Sequence, residues 1–192
     1  MIGLAPRSVI TGVPGWESID EQHTLFEHAV NVPDGGMIVE IGAEFGMSAS
    51  IFCRAARQSV SIISIDLFPD DLLQKHQANL RESGHFGRSL QIKADSQLAS
   101  TPTGAGVEAI NLLFIDGDHS YAGVWRDLKV WMHLVKPDGV VIFHDAAPAT
   151  NLAPHPLHYE VQQAIDGYMA VLPGDWTELP SVDSMRIFKR NA

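Results

Sequence analysis

Five short runs rich in β-branched and aliphatic residues recur along the chain, and each runs out at an acidic residue. "MIVEIG" carries Glu40 and meets Gly42, "SVSIISID" stops at Asp66, "SLQIKAD" at Asp95, "AINLLFID" at Asp116, and "GVVIFHD" at His144 and Asp145. Segments with helical spacing stand between them. "GMSASIFCRAARQ" follows the first run, and "PDDLLQKHQANLRESG" opens with Pro and acids and closes on Gly84, the usual asymmetry of a helix. In "SYAGVWRDLKVWMHLVK" the apolar residues Val124, Leu128, Trp131 and Val135 step by four, three and four, and Pro137 is expected to stop the helix. Strands that alternate with helices need right-handed crossovers, so the fold class is α/β: three layers, with a doubly wound and mostly parallel sheet.

The ends of the chain extend this plan. Ser18 and Glu21 in "SIDE" have capping-box spacing, which predicts a leading helix with Ile19, Phe26 and Val30 recurring on one face. "VQQAIDGYMAVL" predicts a last helix. "WTELPSV" and "MRIFKRN" then read as two strands joined tightly, which would complete a seven-stranded sheet with an antiparallel C-terminal strand. The 192 residues are expected to form one domain: an N-terminal helix and lid region over 1–33, a core over 34–145, and a C-terminal helix and strands over 146–192.

Composition narrows the function classes. A formal charge of -10 without clustered Lys and Arg argues against nucleic acid as a partner. No stretch approaches the ~20 apolar residues that cross a bilayer, and the first residues lack a signal-peptide core, so no membrane partner is expected and the location is expected to be cytoplasmic. Cys53 is the only cysteine, and its place in a helical pattern predicts a small core residue.

In sheets of this kind ligands bind beyond the carboxyl ends of the strands, so the acids there carry the functional argument. The "VEIGAEFGMS" turn has Gly42 and Gly46 but lacks the three-glycine pattern that admits a pyrophosphate, and Glu44 would repel one. A cofactor without phosphates fits better. Asp66 follows Gly42 by 24 positions, close to the ~20 at which an acid accepts ribose hydroxyls. Asp95 and Ser96 could meet an adenine amine or cap a turn. Asp116 and His119 in "IDGDHSY" would face the crevice, with Asp118 expected as a helix cap. His155 and His158 either line an acceptor pocket or lie on an exposed loop, and Trp125, Trp131 and Met132 are expected in the core or an interface.

The glycine turn, the acid after the second strand, the Asp-Ser after the third, and "LLFIDGDHSYAGVWRDL" with "LVKPDGVVIFHDA" together resemble class I S-adenosylmethionine-dependent methyltransferases, over roughly Asp34 to Asp145. Within that Rossmann-like superfamily the chain resembles a small bacterial branch that includes macrolide-sugar O-methyltransferases and cephalosporin hydroxylase-associated proteins. The resemblance implies S-adenosylmethionine as cofactor. Gly42, Gly46, Glu40 and Ser48 would lie at its methionine part, Asp66 at the ribose, Asp95 and Ser96 at the adenine, and Asp116 beside it. In metal-dependent relatives, acids ending the fourth and fifth strands hold magnesium, which implies Asp116, His144 and Asp145 as ligands and His119 as general base. His144 departs from the carboxylate frequent there. An imidazole suits manganese, iron or zinc better than magnesium, so reactions with and without a metal both stay open.

The expected activity is O-methylation of a small molecule or sugar. The acceptor pocket is either open, completed by a second copy of the chain in a homo-oligomer, or ordered by substrate, with the N-terminal helix region and Ala146 to Glu160 as the available lids. Two other classes stay in view: a nicotinamide-dependent oxidoreductase on a related sheet, and a non-catalytic cofactor-binding protein.

Overall fold

The computed structural model describes residues 8–99, 109–147, 156–172 and 174–192. At its centre β1 (Met37–Ile41) and β4 (Ile110–Ile115) run parallel, with Val39 opposite Leu113 and Ile41 opposite Ile115. Alternate residues of these strands point to opposite faces, and both faces are buried. Ile38, Leu112 and Phe114 enter one core cluster, while Val39, Ile41, Leu113 and Ile115 enter the other. That is why their sequences are near-continuous apolar runs without polar alternation.

From edge to edge the seven-stranded sheet reads β3 (Leu90–Lys93), β2 (Ser61–Asp66), β1, β4, β5 (Val135–Phe143), β7 (Met185–Arg190) and β6 (Trp176–Val182). β1 to β5 are mutually parallel, and the C-terminal hairpin of β6 and β7 joins β5 through an antiparallel β7. The expected fold class and its antiparallel end are therefore both present. α1 (Ile19–Val30) and α2 (Met47–Ala55) cover one face through Leu25, Ala29, Ile51 and Phe52. α4 (Tyr121–Trp131) and α5 (Pro156–Ala170) cover the other through Val124, Leu128, Trp131, Ala164 and Ile165. α3 (Leu72–Glu82) buries only His76 and Leu80, and is tied to the first turn by Asn79 Nδ2 donating to the Phe45 carbonyl at 2.9 Å. Each fully buried Leu, Ile or Phe contributes roughly 1.5–3 kcal/mol, so the two clusters carry the fold.

Three local readings differ from the sequence expectation. α1 starts with the expected capping box, but its buried residues are Glu21, Gln22, Leu25 and Ala29, while Ile19 and Val30 are about 40% exposed. The inward stripe holds two polar side chains that found partners: Gln22 Oε1 accepts from Ser8 Oγ and the Val9 amide, and its Nε2 donates to the Glu17 carbonyl. A count of apolar residues cannot see such a stripe. α4 ends at Trp131 and passes through a 3₁₀ turn over Met132–Leu134, and Pro137 lies inside β5 beside a register shift against β4, where a strand tolerates a missing amide. Ser120, not Asp118, caps α4: its hydroxyl accepts from the Gly123 amide, and Asp118 Oδ1 accepts from the Ser120 amide one step earlier.

Candidate active site

Chain order alone locates the site. The chain leaves the sheet at the β3 edge and re-enters beside β1 at β4, so the crossovers diverge there and open a crevice at the strands' carboxyl ends. A cavity of about 710 Å³ lies in that crevice, within the size range of small-molecule sites. Its wall carries Gly42 and Glu44 after β1, Asp66 and Leu67 around the end of β2, Asp95 and Ser96 after β3, Asp116 and His119 after β4, and His144 and Asp145 after β5. Every strand end singled out in the sequence reaches it.

The turn after β1 is built as tightly as its glycines suggest, for a reason internal to the sheet. Gly42 has φ +82, and a Cβ there would stand 1.9 Å from the Asp116 carbonyl oxygen. Only glycine lets the β1 and β4 ends stay in register, with the Asp116 amide donating to the Ile41 carbonyl at 2.8 Å. Gly46, at φ +91, starts α2 against the His76 ring. Beneath the turn the Ser48 hydroxyl donates to Glu40 Oε1, and both side chains are buried rather than lining the main cavity. Burial pushes the Glu40 carboxyl up to about 8, with the Ser48 and Ser64 hydroxyls opposing the shift. Its Oε2 has no hydrogen-bond partner.

Asp66 lines the cavity and also holds the turn: Oδ2 accepts from the Ala43 and Glu44 amides, both at 3.0 Å, and Oδ1 from the Phe68 amide at 2.6 Å. Asp95 Oδ1 accepts from the Gln97 amide at 2.9 Å, the turn cap foreseen as its other role. The Ser96 hydroxyl donates to Asp127 at 2.6 Å. Burial raises the Asp127 carboxyl to about 6.

The other end of the cavity gathers imidazoles and carboxylates. His119 Nε2 lies 3.1 Å from Asp145 Oδ2 and 3.6 Å from Asp116 Oδ1. His144 Nδ1 lies 3.4 Å from Asp116 Oδ1 and 3.6 Å from Asp145 Oδ2, and its Nε2 lies 3.4 Å from Glu21 Oε2. His158, on α5, places Nε2 3.3 Å from Asp145 Oδ1. Asp145 has a left-handed backbone, φ 51, a conformation that costs a non-glycine residue free energy. The hydrogen bond to Asp145 raises the His119 pKa, with burial opposing. Burial would lower that of His144, yet Asp116, Asp145 and Glu21 hold it well above the ordinary imidazole value. Burial would raise that of Asp145, and the His119 hydrogen bond with the nearby His144 imidazole overrides it and leaves it depressed.

Asp116, His144 and Asp145 each offer a ligand atom, and these lie within 4.8 Å of one another. The His144 Nδ1 atom is buried and makes no aligned hydrogen bond to either carboxylate. A buried imidazole nitrogen between two carboxylates fits a divalent cation, and the mixed nitrogen and oxygen set fits manganese, iron or zinc better than magnesium.

Residues 39–146 match the model of a family described as "Methyltransferase domain". The chain belongs to this family. Solved methyltransferase structures share its fold at low identity. S-adenosylhomocysteine-bound PaMTH1 of Podospora anserina is 20% identical with a TM-score of 0.67, covering 92% of this chain and 80% of that one. The O-methyltransferase TomG of Streptomyces achromogenes, in complex with S-adenosylmethionine and involved in tomaymycin synthesis, is 17% identical with a TM-score of 0.69, covering 92% and 82%. A curated relative, the uncharacterized protein y4gI of Sinorhizobium fredii, is 30% identical over 122 residues, which are 56% of this chain and 13% of that protein. The chain thus carries a methyltransferase-family domain with the fold of these structures, and no helix among its described residues is long and apolar enough to cross a membrane.

Sequence reasoning missed two contributors to this site, Glu21 and Trp16, and left a third, His158, between two readings. Glu21 was visible only as a helix cap, and spacing along α1 gives no hint that it reaches β5. Trp16 lines the cavity and donates its indole N–H to Glu44 Oε2 at 3.0 Å. His158 joins Asp145, although its surroundings in the sequence read equally well as an exposed loop. His155 and most of the expected Ala146–Glu160 lid lie outside the described residues. Cys53, Trp131 and Met132 are in the core as expected, and burial pushes the Cys53 thiol up to about 11.

Proposed function

We propose that this methyltransferase moves the methyl group of S-adenosylmethionine to a hydroxyl of a small molecule or sugar, with His119 as general base and a divalent metal at Asp116, His144 and Asp145. The observation that carries the reading is the placement of His119. Its Nε2 stands 3.1 Å from Asp145 at the end of the cavity where β4 and β5 finish, while the wall suited to a nucleoside stands at the ends of β1 to β3. The cofactor-bound methyltransferases of the same fold support the choice of donor.

In this reading Asp66 accepts a ribose hydroxyl at Oδ1, the oxygen that its three amide bonds leave with room for a further donor. Asp95 and Ser96 border the adenine. Gly42, Gly46, Glu40 and Ser48 shape the methionine end. Transfer breaks the carbon–sulfur bond of the sulfonium as the carbon–oxygen bond forms, and the acceptor's proton passes to His119 Nδ1, because Nε2 already carries a proton toward the Asp145 carboxylate. Proximity supplies much of the rate, and a positioned base adds ~10²–10⁴. His119 must be neutral to accept that proton, and Asp145, which raises its pKa, also aims it. When bound, a metal lowers the acceptor hydroxyl's pKa and orients it. The net charge of -10 argues for a small-molecule acceptor over a nucleic acid.

Isothermal calorimetry tests the donor: S-adenosylmethionine and its demethylated product are expected to bind at micromolar concentration and NAD not at all. Binding of NAD alone would overturn the reading. A screen of hydroxyl acceptors then gives a turnover assay. His119→Ala is expected to lower kcat by ~10²–10⁴ with cofactor affinity unchanged. Unchanged turnover would remove His119 as the base.

A further inference from the structure

The residue on the far side of His144 belongs to neither the cofactor wall nor the acid pair at the strand ends. Glu21 sits in the first turn of α1, is 3% exposed, and spends both carboxylate oxygens inward. Oε1 accepts from the Ser184 amide at 3.0 Å and the Ser184 hydroxyl at 2.6 Å. Oε2 accepts from the Ser18 amide at 2.8 Å and faces His144 Nε2 at 3.4 Å. Its four donors come from the α1 cap, the β6–β7 hairpin and the end of β5. A carboxylate with every approach filled has one orientation, and so has the ring it faces.

An ionised carboxylate can only accept, so the nitrogen that faces it must carry a proton. Glu21 therefore fixes Nε2–H on His144. A ring that ligates a cation gives up its other proton, so its lone pair is on Nδ1, the atom that lies between Asp116 and Asp145 with no aligned partner. Histidines that bind metals are commonly held by a carboxylate on the remote nitrogen, which sets both tautomer and ring angle.

We propose that Glu21 is the positioning residue of the metal centre: it holds His144 as the Nε2–H tautomer and presents Nδ1 to a divalent ion shared with Asp116 and Asp145. The inference rests on the metal reading given above and adds to it which nitrogen binds and what orients it. The capping box of α1 then has two outputs, a helix start and a ligand orientation.

Glu21→Gln separates the outputs. Glutamine keeps the length and can still accept from Ser184 or Ser18, but it is neutral and can turn an amide N–H toward His144, which no longer holds the proton on Nε2. The control is Ser18→Ala, which removes the hydroxyl half of the cap and leaves the Glu21 carboxylate facing His144. Calorimetric titration of Mn²⁺ into chelator-treated protein, with the thermal midpoint of each variant, is the measurement. Wild-type protein is expected to bind Mn²⁺, E21Q to bind roughly 10- to 100-fold more weakly, and S18A to lose thermal stability with Mn²⁺ affinity unchanged.

Equal affinity in wild type and E21Q would overturn the role of Glu21 while leaving the metal reading intact, and equal losses in E21Q and S18A would assign the effect to helix stability instead. Wild-type protein that binds no Mn²⁺ would end the metal reading and the inference with it. A second measurement needs no variant. In the Zn²⁺-loaded wild-type protein, ¹⁵N correlation spectra of the His144 ring are expected to show Nε2 protonated and Nδ1 shifted by the metal. A metal-shifted Nε2 would overturn the inference even if E21Q failed to fold.

Discussion

The substitution Glu40→Gln probes the least solvated acid of the site. The carboxyl is completely buried and its pKa stands at about 8 against an ordinary 4.5. The difference, 8 minus 4.5, is 3.5 units, and at about 1.36 kcal/mol per unit it corresponds to on the order of 5 kcal/mol. Folding raises this pKa, so between the two values the folded chain keeps a proton that the unfolded chain has released. The stabilising contribution is complete below pH 4.5 and is lost as the pH rises through 8. The glutamine of the variant does not titrate, and the hydroxyls of Ser48 and Ser64 can accept from its amide. Urea unfolding of both proteins from pH 5 to pH 9 is the assay. The variant is expected to be about as stable as the wild type at the acid end and to overtake it by several kcal/mol at the alkaline end, with unchanged denaturant dependence. If the two stability curves run parallel over the whole range, the carboxyl is not held neutral by burial and the reasoning is refuted.

Two further outcomes follow from local geometry. Gly42→Ala puts a methyl group on the Asp116 carbonyl, 1.9 Å away, at φ +82, and is expected to cost on the order of 4 kcal/mol or more in chemical denaturation; near-wild-type stability would show that the β1 and β4 ends separate easily. Cys53 is 4% exposed with its thiol pushed up to about 11, so Ellman's reagent at pH 8 is expected to label it only as denaturant opens the chain, and rapid labelling of the native protein would contradict its place in the core.

The sheet was legible because its central strands are apolar on both faces, as Leu112 to Ile115 show, and because the five parallel strands run out at acids. The cavity followed from the same runs, since strand exits in a parallel sheet share one edge. Contacts among α1, β5, α5 and the C-terminal hairpin were not legible. Glu21 and His144 are 123 positions apart, and nothing in "SIDEQ" distinguishes a cap that ends its work at Ser18 from one that also reaches His144. The buried face of α1 was misread for a related reason: Gln22 is inside because Ser8, Val9 and Glu17 satisfy its amide, and that satisfaction is tertiary. Pro137 misled through a local rule, because its missing amide fits a register shift in a strand as well as a helix stop.

The two ends of the cavity also differ in how they are held. The wall at the ends of β1 to β3 is nearly self-contained in sequence: Asp66 bonds the amides of Ala43 and Glu44, and Asp95 bonds the amide of Gln97. The end with the imidazoles is assembled from distant pieces. Glu21 comes from α1, Asp116 and His119 from the exit of β4, His144 and Asp145 from the exit of β5, and His158 from α5. Ser184 ties several of them together, because its amide and hydroxyl hold Glu21 while its carbonyl accepts from the amides of Ala146 and Ala147. Loosening the hairpin or α1 therefore disperses the imidazole cluster before it disturbs the β1–β3 wall. In a methyltransferase that works as proposed, such loosening removes turnover while the chain still binds its cofactor, so the two activities divide along the boundary between local and long-range contacts.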